Sequence, residues 1–124
     1  MNVVVCIPAF NEEKNIAKVI LGVEKYADKI IVCDDGSSDM TYKIAKKLGV
    51  EVIKHSSNLG KGAAIRSLVK QSLTSIFDIL ITIDGDCQFD SNDIPLLIEP
   101  IKNKKADVVI GERHMNKKNV PLHR

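Results

Sequence analysis

Asp84 and Asp86 stand two residues apart at the end of the apolar, β-branched run 77–83. Along a strand, residues at i and i+2 point the same way, so this spacing aims two carboxylates at one spot. Carboxylates so placed repel unless a cation, a proton or a basic side chain lies between them. Two hard oxygen ligands with positions left open suit Mg2+ or Mn2+. Asp-Gly is also ordinary turn chemistry, so the pair alone admits both readings.

Four further polar clusters each follow an apolar run directly. Pro8, Ala9, Phe10, Asn11, Glu12 and Glu13 come after 3–7. Asn11 with Glu12 and Glu13 suits a helix start, where a capping amide and two acids meet the positive end of the dipole; a binding role is compatible with that. Asp34 and Asp35, in Asp-Asp-Gly-Ser-Ser-Asp after 29–33, exceed what a turn requires. An acid there can accept from a ribose hydroxyl or a base N–H.

The third cluster, 56–61, brings Gly60-Lys61-Gly62 near a phosphate-loop pattern without meeting it. The Walker motif needs glycine where His55 stands and Ser or Thr where Gly62 stands; the dinucleotide fingerprint needs a small residue at Ile65. Lys61 or Arg66 at a helix start remains a candidate phosphate contact, while His55 reads as a surface residue. In the fourth, 111–113, Arg113 reads as a solvated end or an anion clamp, and the edge it shares with the other clusters favours the clamp.

Positioning these clusters requires an alternation of strands and helices. Apolar runs at 3–7, 29–33, 50–54, 77–83 and 106–110 read as strands. Between them lie amphipathic stretches. Ile16, Val19, Ile20 and Val23 form one stripe; Met40, Ile44, Ala45 and Leu48 form the next, opened by Ser37 or Ser38 and closed by Gly49. Ile65, Leu68, Val69 and Ser72 follow, then Ile94, Leu97, Ile98 and Ile101, capped by Asn92 or Asp93 with Pro95 in the first turn. Pro100 predicts a kink or an early end. Strands apolar on both faces, alternating with helices, imply an α/β fold: an open, mostly parallel sheet with helices on both faces. All five clusters then lie on one sheet edge, where ligands bind in such folds. Residues 1–113 form one domain, and 114–124 reads as a polar tail or the start of a further portion.

The 124 residues, 44% apolar and 27% charged with a net charge of +2, fit one globular domain. Lysines are interspersed with acids, which argues against a nucleic-acid partner. Cys6, Cys33 and Cys87 are odd in number and lie in or beside apolar runs, so they read as core thiols of a reducing compartment. Neither a signal peptide nor a run of roughly 18 apolar residues is present in the sequence, and the expected location is the cytoplasm.

Taken together, these clusters resemble family 2 glycosyltransferases of the GT-A fold, whose first part is a Rossmann-like nucleotide-binding half. Within them they resemble the polyprenyl-phosphate sugar synthases related to dolichyl-phosphate mannose synthase. The resemblance rests on Ile7-Pro8-Ala9-Phe10-Asn11-Glu12-Glu13, Asp34-Asp35-Gly36-Ser37-Ser38-Asp39, Asn58-Leu59-Gly60-Lys61-Gly62, Asp84-Gly85-Asp86-Cys87-Gln88 and Val109-Ile110-Gly111-Glu112-Arg113. It implies a nucleotide pocket of Pro8, Phe10, Glu12, Cys33, Asp35, Ile83, Asp84 and Gly85. It further implies a Mg2+ or Mn2+ site of Asp84, Asp86 and Gln88, with Asp86 and Arg113 catalytic and Arg113 on the acceptor phosphate.

The implied reaction is metal-dependent, inverting transfer of a sugar from a GDP- or UDP-sugar to a polyprenyl phosphate. Its acceptor would draw the protein to the cytoplasmic face of a membrane. Family members continue well past the position of Arg113, so the chain is expected to be truncated, with self-association favoured by an exposed apolar edge. Two alternatives stay open. A nucleotidyltransferase shares fold and metal use, although 8–13 lacks the glycine-rich loop of that class. A catalytically incomplete nucleotide-binding or assembly module is the other.

Overall fold

Period-two alternation lets one sheet serve two cores. The computed structural model describes residues 2–102, 107–110 and 122–123. In β1 (Val3–Ala9), Val3, Val5, Ile7 and Ala9 enter one core, and Val4 and Cys6 enter the other. β2 (Lys29–Asp34) divides likewise into Ile30 and Val32 against Ile31 and Cys33, and β4 (Ile79–Thr82) into Ile79 and Ile81 against Leu80. Complete burial of each such Ile, Val or Leu stabilises the fold by about 1.5–3 kcal/mol.

With β3 (Glu51–Lys54), β5 (Asp107–Ile110) and β6 (Leu122–His123), the sheet runs β3-β2-β1-β4-β5-β6. All neighbours are parallel except β6, which is antiparallel to β5. The chain moves outward from β1 through β2 to β3, then returns across the sheet to β4 on the other side of β1. Right-handed connections in opposite directions must cross opposite faces. Accordingly α1 (Ile16–Val23) and α2 (Thr41–Lys47) supply the first core with Ile16, Val19, Ile20, Val23 and Ala45. α3 (Lys61–Ser72) places Ala64 and Leu68 in the second. α4 (Ile94–Lys102) adds Ile94, Leu97 and Ile101 to the first core, although its connection from β4 to β5 runs in the direction of the one through α3, so the rule does not account for its side. The reversal at β1 and β4 leaves a crevice at their carboxyl ends.

Several local expectations are corrected. Asn11 is not a helix cap: α1 begins at Ile16 behind Asn15, with no acid in its first turn. Asn11 instead takes a positive φ of 53° and ties two loops together. Neither Ser37 nor Ser38 caps α2; Oδ1 of Asp39 accepts from the Thr41 amide at 2.9 Å, and Met40 is exposed. The buried stripe of α3 is Ala64, Leu68 and Ser72, with Ile65 and Val69 half-buried. Asp90, rather than Asn92 or Asp93, caps the turn before α4, accepting from the Asn92 amide. α4 continues through position 100 to Lys102. Gly49, with a φ of 85°, ends α2 as expected. Of the expected tail, Leu122 and His123 pair with β5 as a short strand. Among the described residues no helix is long and apolar enough to cross a membrane.

Candidate active site

The carboxyl ends of β1, β2 and β4 border a cleft of about 320 Å3. Pro8 enters it from the end of β1, Phe10 and Glu12 from the loop that follows, and Asp35 from the residue after β2. Asn58 and Gly60 come from the loop leading into α3 and Lys61 from its first position, and Asp84, Gly85 and Asp86 from the turn after β4. The first two loops hold each other rigid. The Asn11 amide donates to Ser37 Oγ at 2.8 Å, the Glu12 amide to Thr41 Oγ1 at 2.8 Å and the Glu13 amide to Asp39 Oδ2 at 3.1 Å. In return, Asn11 Oδ1 accepts from the Ser38 amide and Glu13 Oε1 from the Met40 amide. Polar residues that read as helix-start chemistry thus join the two loops, leaving Phe10 45% exposed at the cleft.

Asp35 is only 3% exposed, yet it is a carboxylate. Three donors explain its burial: His55 Nδ1 at 2.8 Å and the Leu59 amide at 2.9 Å on Oδ1, and the Gly60 amide at 2.9 Å on Oδ2. Burial alone would raise the carboxyl, but these hydrogen bonds outweigh it and hold the group below its ordinary value. Because Asp35 accepts, the His55 proton is assigned to Nδ1. Nε2 then faces Ser67 Oγ at 2.8 Å and Cys33 Sγ at 3.6 Å. His55 is therefore not the surface residue its sequence context suggests; its side chain is 11% exposed. The signal available in sequence was its place just after β3, on the edge shared by the other clusters.

Asp34 points the opposite way. Its Oδ1 accepts from the Ser37 amide at 3.1 Å, closing the turn, while its buried Oδ2 has no partner among the described residues. The two adjacent acids thus divide between turn and cleft.

β4 ends at Thr82, so a turn, and not the strand pleat, sets the relation of Asp84 to Asp86. Both still line the cleft. Cys87, at a φ of 66°, completes the turn, and the Gln88 amide donates to Asp86 Oδ1 at 3.1 Å. Lys61 Nζ, reaching from the first residue of α3, lies 2.7 Å from Asp84 Oδ1. This ammonium shows that Asp84 attracts a cation where it stands.

No group of three or more His, Cys, Asp or Glu side chains converges on a metal position among the described residues. Two carboxylates open to a cleft fit an ion that takes its remaining ligands from phosphate oxygens and water, as Mg2+ and Mn2+ commonly do. The site therefore fits such an ion only together with a phosphate-bearing ligand.

Of the residues expected in the pocket, Pro8, Phe10, Glu12, Asp35, Asp84, Gly85 and Asp86 are brought together. Cys33 and Ile83 are not. Both are buried, Cys33 in the core under α3 and Ile83 in the opposite core. Gln88 lines a separate depression with Lys18 and Phe89, and its amide donates to Asp86 Oδ1 beside the expected metal site. Arg113 lies outside the described residues. Lys61 and Asn58 join the cleft as additional polar residues, while the exposed Arg66 does not line it.

Known proteins are similar to this chain in sequence and in fold. A dolichyl-phosphate N-acetylglucosaminyltransferase from Methanococcus voltae that uses UDP-N-acetylglucosamine is 38% identical, over 94% of this chain and 55% of its own. The dolichol-phosphate mannosyltransferase of Pyrococcus furiosus is 32% identical over 93% of this chain and 34% of its own. Glucosyl-3-phosphoglycerate synthase of Mycobacterium tuberculosis, crystallised with Mn2+, UDP-glucose and glycerol 3-phosphate, superimposes with a TM-score of 0.69. It is 28% identical, over 83% of this chain and 40% of its own. The chain spans about half the length, or less, of the relatives it matches. The model of glycosyl transferase family 2 matches residues 4–122, and the chain belongs to that family.

Proposed function

We propose that this chain is the donor-binding part of an enzyme that transfers a sugar from a nucleotide-diphosphate sugar to a polyprenyl phosphate, with inversion at the anomeric carbon. The observation that carries this reading is the division of one cleft: an exposed aromatic ring and a buried carboxylate at Phe10 and Asp35, and Lys61, Asp84 and Asp86 around the rest. Phe10 offers a face on which a base stacks, and Asp35 accepts from the base or ribose. Lys61, at the N-terminus of α3, suits the diphosphate by charge and by the helix dipole. Family membership and the substrates named for the relatives support the same reading.

Asp84 and Asp86 would hold a bound Mg2+ or Mn2+, whose contribution is to neutralise charge growing on the departing diphosphate. Gln88 aids by fixing Asp86 through its amide. An acceptor phosphate is already anionic, so its oxygen attacks the anomeric carbon without a dedicated base. The bond to the diphosphate oxygen breaks as the new C–O bond forms on the opposite face, and the electron pair leaves with the nucleoside diphosphate. Arg113 is assigned to the acceptor phosphate, which in a polyprenyl acceptor brings the reaction to the cytoplasmic face of a membrane.

Calorimetric titration of the chain with UDP- and GDP-sugars, with and without Mn2+, tests the donor site. Mn2+-dependent binding that is lost in Asp86→Ala is expected; full-strength binding by the variant would remove the metal assignment. Incubating the whole protein with donor and a short polyprenyl phosphate tests transfer. Pyrophosphate release from a nucleoside triphosphate and a sugar phosphate would instead favour a nucleotidyltransferase.

A further inference from the structure

Asp35 reaches the cleft with most of its hydrogen-bonding capacity already committed. A carboxylate has about four acceptor positions, two on each oxygen. Oδ1 takes His55 Nδ1–H and the Leu59 amide, which fills it; Oδ2 takes the Gly60 amide. One position, on Oδ2, is left. The set is rigid, because the three donors come from the end of β3 and the loop leading into α3, and His55 is anchored beyond by Ser67.

We infer that Asp35 selects the base of the donor, favouring uracil over guanine, because its single open acceptor position matches one N–H and cannot take two. This rests on the donor-site reading above. Guanine presents N1–H and N2–H side by side, and a carboxylate satisfies that pair only by offering one open position on each oxygen. Here Oδ1 is full, so guanine would either leave an N–H unpaired against this nearly buried carboxylate or displace His55 or Leu59. Uracil presents N3–H alone between two carbonyls, and Oδ2 accepts it without disturbing the others. A recognition site rejects the analogue whose polar groups it leaves unpaired. His55 is on this account a positioning residue: it holds Asp35 and occupies the acceptor position a second N–H would need.

Competition binding at fixed Mn2+ compares UDP, GDP and N3-methyl-UDP on the unmodified chain. UDP is expected to bind at least about tenfold more tightly than GDP, and methylation at N3 to cost at least about tenfold, the equivalent of one lost hydrogen bond. Equal affinity for UDP and GDP overturns the inference, as does N3-methyl-UDP binding as well as UDP. Binding of neither UDP nor GDP would instead remove the donor-site reading beneath it, so the two failures are distinct.

Discussion

His55 Nδ1 lies 2.8 Å from Asp35 Oδ1, so the residue that follows the third strand holds the carboxylate that follows the second. Their strands are hydrogen-bonded neighbours, with Asp34 paired in register to Lys54. The Asp34 carbonyl also accepts from the His55 amide at 2.9 Å, which places the two side chains side by side.

Replacing His55 removes a donor from a buried charge. His55→Phe is expected to destabilise the fold by about 1–3 kcal/mol and to weaken uridine-nucleotide binding by more than the stability loss explains. Urea unfolding and UDP titration of the folded variant measure the two effects separately. A variant as stable as the parent would contradict the role of this pair.

Asp35 also couples stability to pH. Because its folded-state carboxyl lies below its ordinary 3.8, the unfolded chain binds more protons in acid. The stability this group contributes is fully present above 3.8 and is lost as pH falls through the depressed folded value. Asp39 shares the direction: burial opposes, and hydrogen bonds from the Thr41 hydroxyl and amide and the Glu13 amide outweigh it. Unfolding followed between pH 5 and 2 is expected to show a shallower loss in Asp35→Asn than in the parent chain.

Two glycines shape the loop over Asp35. At Gly36, with a φ of 77°, a Cβ would lie 2.4 Å from the Ser57 carbonyl carbon and 2.5 Å from the Asn58 nitrogen. Gly60, at a φ of 102°, has open space for a Cβ but a backbone that side chains resist. Gly36→Ala is expected to cost about 2 kcal/mol or more through both strain and collision, and Gly60→Ala to cost less because strain acts alone. Thermal unfolding of the two variants tests this order.

Lys61 and Asp84 form an exposed pair, the lysine side chain 61% accessible. Such a bridge contributes little to stability. Lys61→Gln is therefore expected to leave the unfolding midpoint nearly unchanged, within about 0.5 kcal/mol, while weakening the nucleotide diphosphate and leaving the nucleoside unaffected. Titrations with UDP and uridine distinguish these; a large stability loss would contradict the exposed geometry.

The thiols are expected to be poor nucleophiles. Burial pushes Cys6 up to about 11 despite its Ser72 contact, and pushes Cys33 up to about 12 with help from Asp35 and Asp34. Cys87 is raised as well, again by burial first. Labelling by a neutral disulfide reagent at pH 7.5 is expected to be slow in the native state, with Cys87 reacting first, and complete after unfolding. Rapid native labelling of Cys33 would contradict the packing beneath Asp35.

The sequence by itself determined the order of strands and helices, because alternating apolar periods of two and near four are local properties. The stripe of Ile16, Val19, Ile20 and Val23 is buried residue for residue. It also determined that Asp35, Asp84 and Asp86 share an edge, since every residue after a parallel strand must lie there. What only the tertiary structure decided is how the polar residues divide their hydrogen bonds. Asn11, Ser37 and Ser38 suit helix caps in isolation, yet they join one loop to another, because the cost of an unpaired donor is met wherever a partner comes into reach. Distances between strand ends decide that reach, and no local pattern records them. For the same reason His55 reads as a surface residue in sequence, and in the fold becomes the donor that fixes what Asp35 can still accept.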